Sequence, residues 1–372
     1  MKNKILAGIM TIAMATMMLS GCGNSETKKE ETTETEAPVE AEKPEEQEAA
    51  PAETEDEEPV AEEASAEETY DVGYIVSNMS HEWYQNICAG AERRAKDKNI
   101  NLSISDAAMD SSKQIDYAEN FITQGVDALI ITPVDPAALN AVVMMAEEAG
   151  IPLIAESSKF DGMKSFVGIT DFDASKQIGE WMADYAAENN IEMQVLIVGQ
   201  PIYEACRDRV SGFLAGMDEK GATYTIAQEV DGNGTKEDSL AVATDALTAH
   251  PEVNVVFGIN DNSSTGAMNA ALERGMDASN LTVLGFGFEG DVGREALLSD
   301  SPYKAAVAMF PDYVGAAIVD VARMAAAGED VPEVYSTPTT VITEDNFTKY
   351  YTDNGDGTFT TNFDAIDELL TK

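Results

Sequence analysis

The 372-residue chain predicts an α/β fold of two similar lobes, each built on a parallel sheet. Three observations carry this expectation. Apolar runs of strand length recur along the chain, helix-length amphipathic segments separate most of them, and the succession is repeated in two halves, about 70–168 and 170–308. Strand, helix and strand at this spacing form right-handed crossovers and hence parallel sheets. About 300 residues share the pattern, enough for two lobes with separate cores.

The first residues set the compartment. Lys2 and Lys4 precede an uncharged Met/Ala/Ile-rich run that ends near Ser20, too short and wrongly flanked for a permanent membrane helix, so it reads as a secretory signal. It closes on Leu19-Ser20-Gly21-Cys22, which resembles the bacterial lipobox. That resemblance implies cleavage before Cys22, lipidation of its thiol and new N-terminus, and a protein held at the extracytoplasmic face of a bacterial cell membrane.

Residues 23–69 contain nineteen carboxylates, three lysines and no aromatic side chain. Such a segment cannot bury a core and reads as an acidic tether, with a random-coil span on the order of 40 Å. The formal charge of −45 is therefore divided, with roughly −31 on residues 70–372. Nucleic acid is excluded as a partner, because phosphate binding needs a basic surface.

The folded part opens with the run 72–76, a buried parallel strand, and passes through a polar turn, Ser77 to Glu82, into a helix beginning near Trp83. Ligands of open α/β sheets bind at such turns. The stretch Ser77 to Tyr84 has no glycine, so it is no phosphate loop. It offers a hydroxyl, an imidazole and two large rings. Trp83 and Tyr84 either stack on a ligand while Ser77 and His81 hydrogen-bond its edge, or fill core.

Further strands are expected at 102–105, 128–132, 153–155, 166–169, 195–198, 224–227, 253–259 and 281–286. Asp110 and Ser111 start a helix with the apolar face Ile115, Ala118, Phe121 and Ile122, and Gly125 ends it. The strand ends offer Thr132 and Asp135, then Glu156, Ser157 and Ser158, then Tyr203, Glu204 and Arg207, then Asn260 and Asp261, and finally Phe288 and Glu289. Asp135 and Asp261 stand where a carboxylate either meets a ligand or caps a helix. Arg207, beside an apolar strand end, needs a partner, in a ligand or in a salt bridge.

In this order, the opening strand with Ser77 and its paired aromatics, QGVDALIITPVDPAAL, ACRDRVSGF, HPEVNVVFGINDNSSTGAM and MFPDYVG resemble the ribose- and galactose-type periplasmic sugar-binding proteins. The resemblance spans about residues 71–343. It implies periplasmic binding protein type I architecture, with two Rossmann-like lobes joined by three hinge strands. It also implies closure on a monosaccharide, deoxy sugar or polyol, and delivery to the permease of an ABC importer. The N-terminal lobe is expected at 70–169 plus about 310–338, and the C-terminal lobe with an extension at 170–309 plus about 339–372. Matched by position, Ser77, His81, Trp83, Tyr84, Thr132, Arg207, Asn260 and Glu289 fall in the cleft, with Asp135, Ser157 and Tyr203 added from the strand ends. No cofactor or metal is called for.

The departures from that pattern matter equally. Where the ribose type has an Asp-Arg pair after its fourth strand, this chain has Ser157 and Ser158. It has Asp231-Gly232-Asn233 where an aromatic is expected, Met309 in place of a hinge glutamine, and either Gly287 or Glu289 for the family's Asp. Fewer charged anchors favour a ligand less hydroxylated than ribose. An alternative is a ligand sensor for a chemoreceptor or signalling system. An extracytoplasmic enzyme is a further alternative, against which stands the lack of an activated nucleophile, metal cluster or dinucleotide loop. A DNA-binding regulator on the same fold would need a basic headpiece in place of the acidic tether. His81 and His250 are too far apart in sequence for a zinc motif, and Cys88 and Cys206 are read as free buried thiols. The stretch Asp353 to Gly357 is read as a hairpin turn, since it lacks the closing glutamate of a calcium loop.

Overall fold

The computed structural model describes residues 69–371. Cys22 and all but the last residue of the acidic tether lie outside them. The first sheet contains β1 (Asp71–Val76), β2 (Asn101–Asp106), β3 (Ala128–Ile131), β4 (Leu153–Glu156) and β5 (Ser165–Gly168). The second contains β6 (Met193–Gly199), β7 (Tyr224–Asp231), β8 (Val255–Gly258), β9 (Thr282–Gly287) and β10 (Tyr303–Ala308). Two late strands complete them: β11 (Val334–Ser336) joins β5 in parallel, and β12 (Thr340–Ile342) joins β10 antiparallel. The spatial orders are β11-β5-β4-β3-β1-β2 and β12-β10-β9-β8-β6-β7, the same doubly wound arrangement twice.

Helices cover both faces of each sheet. On the first lobe these include α1 (Glu82–Asp97), α2 (Ser111–Gln124) and α3 (Asn140–Ala149), and on the second α4 (Asp171–Asn189), α5 (Glu204–Glu219), α6 (Lys236–Ala249), α7 (Asp261–Glu273) and α8 (Asp291–Leu298). The next helix, α9 (Pro311–Ala326), returns to pack against α1 and β3 of the first lobe. The chain thus crosses between lobes after Gly168, after Ala308 and between Ser336 and Thr340. Each sheet is sandwiched between two apolar clusters, which explains why β3, β4 and β8 are buried throughout and why β3 and β8 read as unbroken apolar runs.

The α1 and α9 backbones meet through glycine. A Cβ on Gly90 would lie 2.1 Å from the Asp312 carbonyl oxygen, and one on Gly315 would lie 2.0 Å from that of Ile87. Asp110 caps α2 through Ser112 and Lys113, and Gly125 ends it in the left-handed conformation. Cys88 and Cys206 are buried free thiols in different lobes. His250 ends α6 and bonds Glu252 at 3.1 Å. The C-terminal stretch adds a hairpin, β13 (Tyr351–Asp353) with β14 (Phe359–Thr361), turned by residues 354–358. Among the described residues, no helix is long and apolar enough to cross a membrane, and no His/Cys/Asp/Glu group has the geometry of a metal site.

Candidate functional site

In each sheet the strand order reverses beside its first strand, between β1 and β3 and between β6 and β8, and the turns at those strands' carboxyl ends face one another across the lobes. The local backbone is unusual there. Ser157, Asn233, Phe288 and Phe310, all non-glycine residues just past a strand end, have φ between 48° and 59°. Left-handed residues of this kind cost energy and gather where a site must be shaped.

The first lobe supplies a buried network. Glu156, at the end of β4, has no exposed surface. Its Oε2 accepts from Thr132 Oγ1 at 2.6 Å, its Oε1 accepts from the Ser157 hydroxyl, and the Trp83 indole N–H donates to the same carboxyl. Tyr74 Oη lies 3.3 Å from Thr132 Oγ1, while Ser77 and Ser157 bond the Tyr84 hydroxyl. Gln114 holds the Thr132 turn by donating to its carbonyl at 2.8 Å and accepting from the Val134 N–H at 2.9 Å. Burial without a cation pushes the Glu156 carboxyl up to about 7. The sequence offered one signal for this residue, an acid closing an otherwise apolar strand, Leu-Ile-Ala-Glu.

Arg209 dominates the opposite wall. Its Nε donates to Asp171 Oδ1 at 2.6 Å, its Nη1 donates to the Ile259 carbonyl at 3.0 Å, and its guanidinium carbon lies 4.3 Å from the centroid of the Phe286 ring. Beside it, Gly287 and Phe288 both adopt positive φ and bend the chain so that the Glu289 carboxyl folds back over Gly287. The Glu289 Cδ is 3.7 Å from the point a Gly287 Cβ would occupy. Glu289 thus lies beside the side-chain position that Gly287 leaves open, with Met309 Cε at 3.5 Å from the same point. Burial and the neighbouring Asp261 raise its carboxyl to about 7, against the pull of Arg209.

The walls approach closely. Trp83 packs against the apolar clusters of both lobes. Asn86 Nδ2 donates to the Glu289 carbonyl at 2.8 Å, and the Glu82 carboxyl lies over Gly290. His81 and Tyr84 meet edge to face at 5.9 Å. Burial, and secondarily the charge of Arg209, lower the His81 pKa and favour its neutral form.

Several sequence candidates take other places. Arg207 is exposed and donates to the Pro201 and Ile202 carbonyls at 2.7 and 3.2 Å, so it ties down its own turn. Two residues along a helix is a rotation of about 200°, which puts Arg209 on the cleft face instead. Asp135 is exposed and caps a short 3₁₀ turn through the Ala137 N–H at 3.0 Å. Tyr203 is the N-cap residue of α5 and lies at the rim, 57% exposed. Asn260, not Asp261, caps α7, accepting from Ser263 N–H at 2.7 Å and donating to the Gly234 carbonyl at 3.0 Å. Asp261 is buried beneath the turn, accepting from Tyr303 Oη at 2.5 Å and from the Phe288 and Glu289 N–H groups. His81 caps α1, its Nδ1 accepting from Trp83 N–H at 3.2 Å. Thr132 and Ser77 lie one layer below the surface, supporting Glu156 and Tyr84.

A model of the periplasmic binding protein domain matches residues 72–330. The chain belongs to that family. Among its relatives, the ribose import binding protein of Bacillus subtilis is 30% identical over 275 residues, covering 73% of this chain and 87% of that protein. An ABC transporter solute-binding protein of Bacillus halodurans, solved with bound myo-inositol, is 26% identical with a TM-score of 0.64, covering 77% of this chain and 98% of the other. A periplasmic solute-binding protein of Actinobacillus succinogenes, solved with D-allose, has a TM-score of 0.67 at 24% identity, covering 76% and 100%, and attests the fold. This is a family of solute-binding proteins and not of enzymes.

Proposed function

We propose that this binding protein captures a monosaccharide, deoxy sugar or polyol by closing its two lobes, and delivers it to the permease of an ABC importer. One observation carries the reading: Trp83 is packed against both lobes while its indole N–H is fixed by Glu156, opposite the Arg209 guanidinium. A ring face, a planar cation and carboxyl groups are the complement of a molecule with one apolar face and hydroxyls on its edge. In the proposed site Glu289 and Ser157 stand with Trp83, Tyr84, His81 and Arg209, while Asn260 keeps one amide hydrogen for a hydroxyl. The names of the relatives, which refer to ribose and myo-inositol, support this ligand class.

Closure follows from differential affinity. A ligand touching both walls forms its full set of hydrogen bonds only when the lobes are together, so it draws the population to the closed form. The permease then meets that shape. Cys22 would tether the protein to the extracytoplasmic face, with the acidic segment as spacer. A thermal-shift screen of monosaccharides, deoxy sugars and polyols tests the ligand class, since a molecule that binds only the folded state raises the melting point. No shift with any of them would overturn it. Cys22→Ala should leave the membrane fraction or remain unprocessed, and a mutant still anchored and processed would refute the lipid anchor.

A further inference from the structure

Beside the cleft lies a cavity of about 480 Å³, within the usual size range of small-molecule sites. The α1 face bearing Glu82 and Arg93 forms one wall, and the β9–α8 turn, the start of α9 and the β13–β14 hairpin form the others. Trp83, Glu156 and Arg209 do not line it, whereas Phe288 and Glu289 do. It is therefore a neighbour of the cleft and not its floor.

Two buried donors on its wall have no hydrogen-bond partner, Arg294 Nε and Tyr351 Oη. Tyr351 is only 4% exposed, and its hydroxyl lies within electrostatic reach of Arg294 and Asp312. Buried polar groups are nearly always paired, so two orphans on one cavity mark a place where acceptor atoms belong. The carboxyl acceptors on the wall are Glu82, Glu289 and Asp312, whose pKa values are raised chiefly by burial. Arg93 meets Asp312 at 3.3 Å and Arg294 Nη2 meets Asp291 at 2.7 Å, so both arginines already have carboxylate partners. An anion would add to the carboxylates, and a cation has nothing to offer Arg294 Nε. A hydroxyl both accepts and donates, and so suits the orphaned donors and the carboxyls together.

We propose that this cavity is a second ligand site, separate from the cleft, for a small uncharged polyhydroxylated molecule lying against the Phe359 ring. Its hydroxyls accept from Arg294 Nε and Tyr351 Oη and donate to Glu82 and Asp312. Because α1 belongs to one lobe and the hairpin packs on the other, occupancy favours the closed arrangement and strengthens capture in the cleft.

The test is calorimetry of the detergent-solubilised full chain with myo-inositol, ribose and glycerol. Wild type is compared with Arg209→Ala, which weakens the cleft, and with Tyr351→Phe, which removes one orphan hydroxyl and keeps the ring. The expected result is a binding component kept in Arg209→Ala and weakened at least tenfold in Tyr351→Phe. The melting point of empty Tyr351→Phe should not fall, because that hydroxyl has no partner to lose. Ala89→Phe, which fills the cavity, gives a second route by removing the same component from a protein with an intact cleft. If none of the three compounds shows a component sensitive to Tyr351→Phe or Ala89→Phe and indifferent to Arg209→Ala, there is no second site.

Discussion

Arg209 Nε donates to Asp171 Oδ1 at 2.6 Å, joining α5 to the first residue of α4, just past the first crossing between lobes. Both side chains are less than a fifth exposed. The pair therefore holds a cation in place on the cleft wall before any ligand arrives. Arg209→Ala should weaken ligand affinity by roughly 1–3 kcal/mol through lost charge-assisted hydrogen bonds. It should also lower the melting point of the empty protein, since Asp171, less than a fifth exposed, is left without its partner. Arg207→Ala should leave affinity unchanged, its guanidinium being spent on the Pro201 and Ile202 carbonyls. Calorimetry on the two variants decides, and the reverse ranking would refute the assignment.

Glu156 gives the stability a pH dependence. Its carboxyl is raised from 4.5 to about 7, so the folded state holds a proton that the unfolded chain has already released. Stability from this source is complete below about pH 4.5 and is lost as pH rises through about 7. The shift is worth on the order of 2–4 kcal/mol. Glu289 and Asp261, raised to about 7 and about 6, act in the same direction. Glu156→Gln should therefore make the fall in melting point between pH 5 and 8 shallower, as read by calorimetry or circular dichroism. A slope identical to wild type would show that this carboxyl is not protonated in the folded state.

Much of the fold was legible because buried parallel strands are apolar on both faces. β1, β3, β8 and β9 stand out in the sequence for that reason. β10 does not, since Tyr-Lys-Ala-Ala-Val-Ala is half alanine and has little β-propensity; its place is fixed by pairing with β9 and β12. The cleft was legible as a set of turns but not as side-chain directions. In Arg-Asp-Arg, only the helix rotation decides which arginine enters the site. Glu156 escaped because an acid at a strand end looks like a surface residue until its three donors, drawn from three separate segments, are assembled around it.

The contact of α1 with α9 rests on the absence of a side chain at Gly90, where a Cβ would stand 2.1 Å from the Asp312 carbonyl oxygen. That atom is backbone and cannot swing aside. Gly90→Ala should force the helices apart and destabilise the empty protein by roughly 1–3 kcal/mol, despite the better helix propensity of alanine. Denaturant unfolding measures this, and a stability equal to or above wild type would mean that the two helices do not pack this closely.

Asn86 connects the lobes directly, its Nδ2 donating to the Glu289 carbonyl at 2.8 Å. Asn86 sits on α1 in the first lobe and Glu289 follows β9 in the second, so the bond exists only while the lobes are together. In an open form both groups return to water at little cost, and the empty protein should therefore tolerate Asn86→Ala without a change in melting point. Ligand binding is different, because the closed state it selects has lost a bond worth about 0.5–1.5 kcal/mol net. Affinity should fall by roughly two- to twelve-fold, with the loss in the dissociation rate. Small-angle scattering should show a larger radius of gyration at subsaturating ligand and the wild-type value at saturation. Wild-type affinity together with a wild-type scattering curve would remove Asn86 from the closing contact and leave Trp83 to bridge the lobes without it.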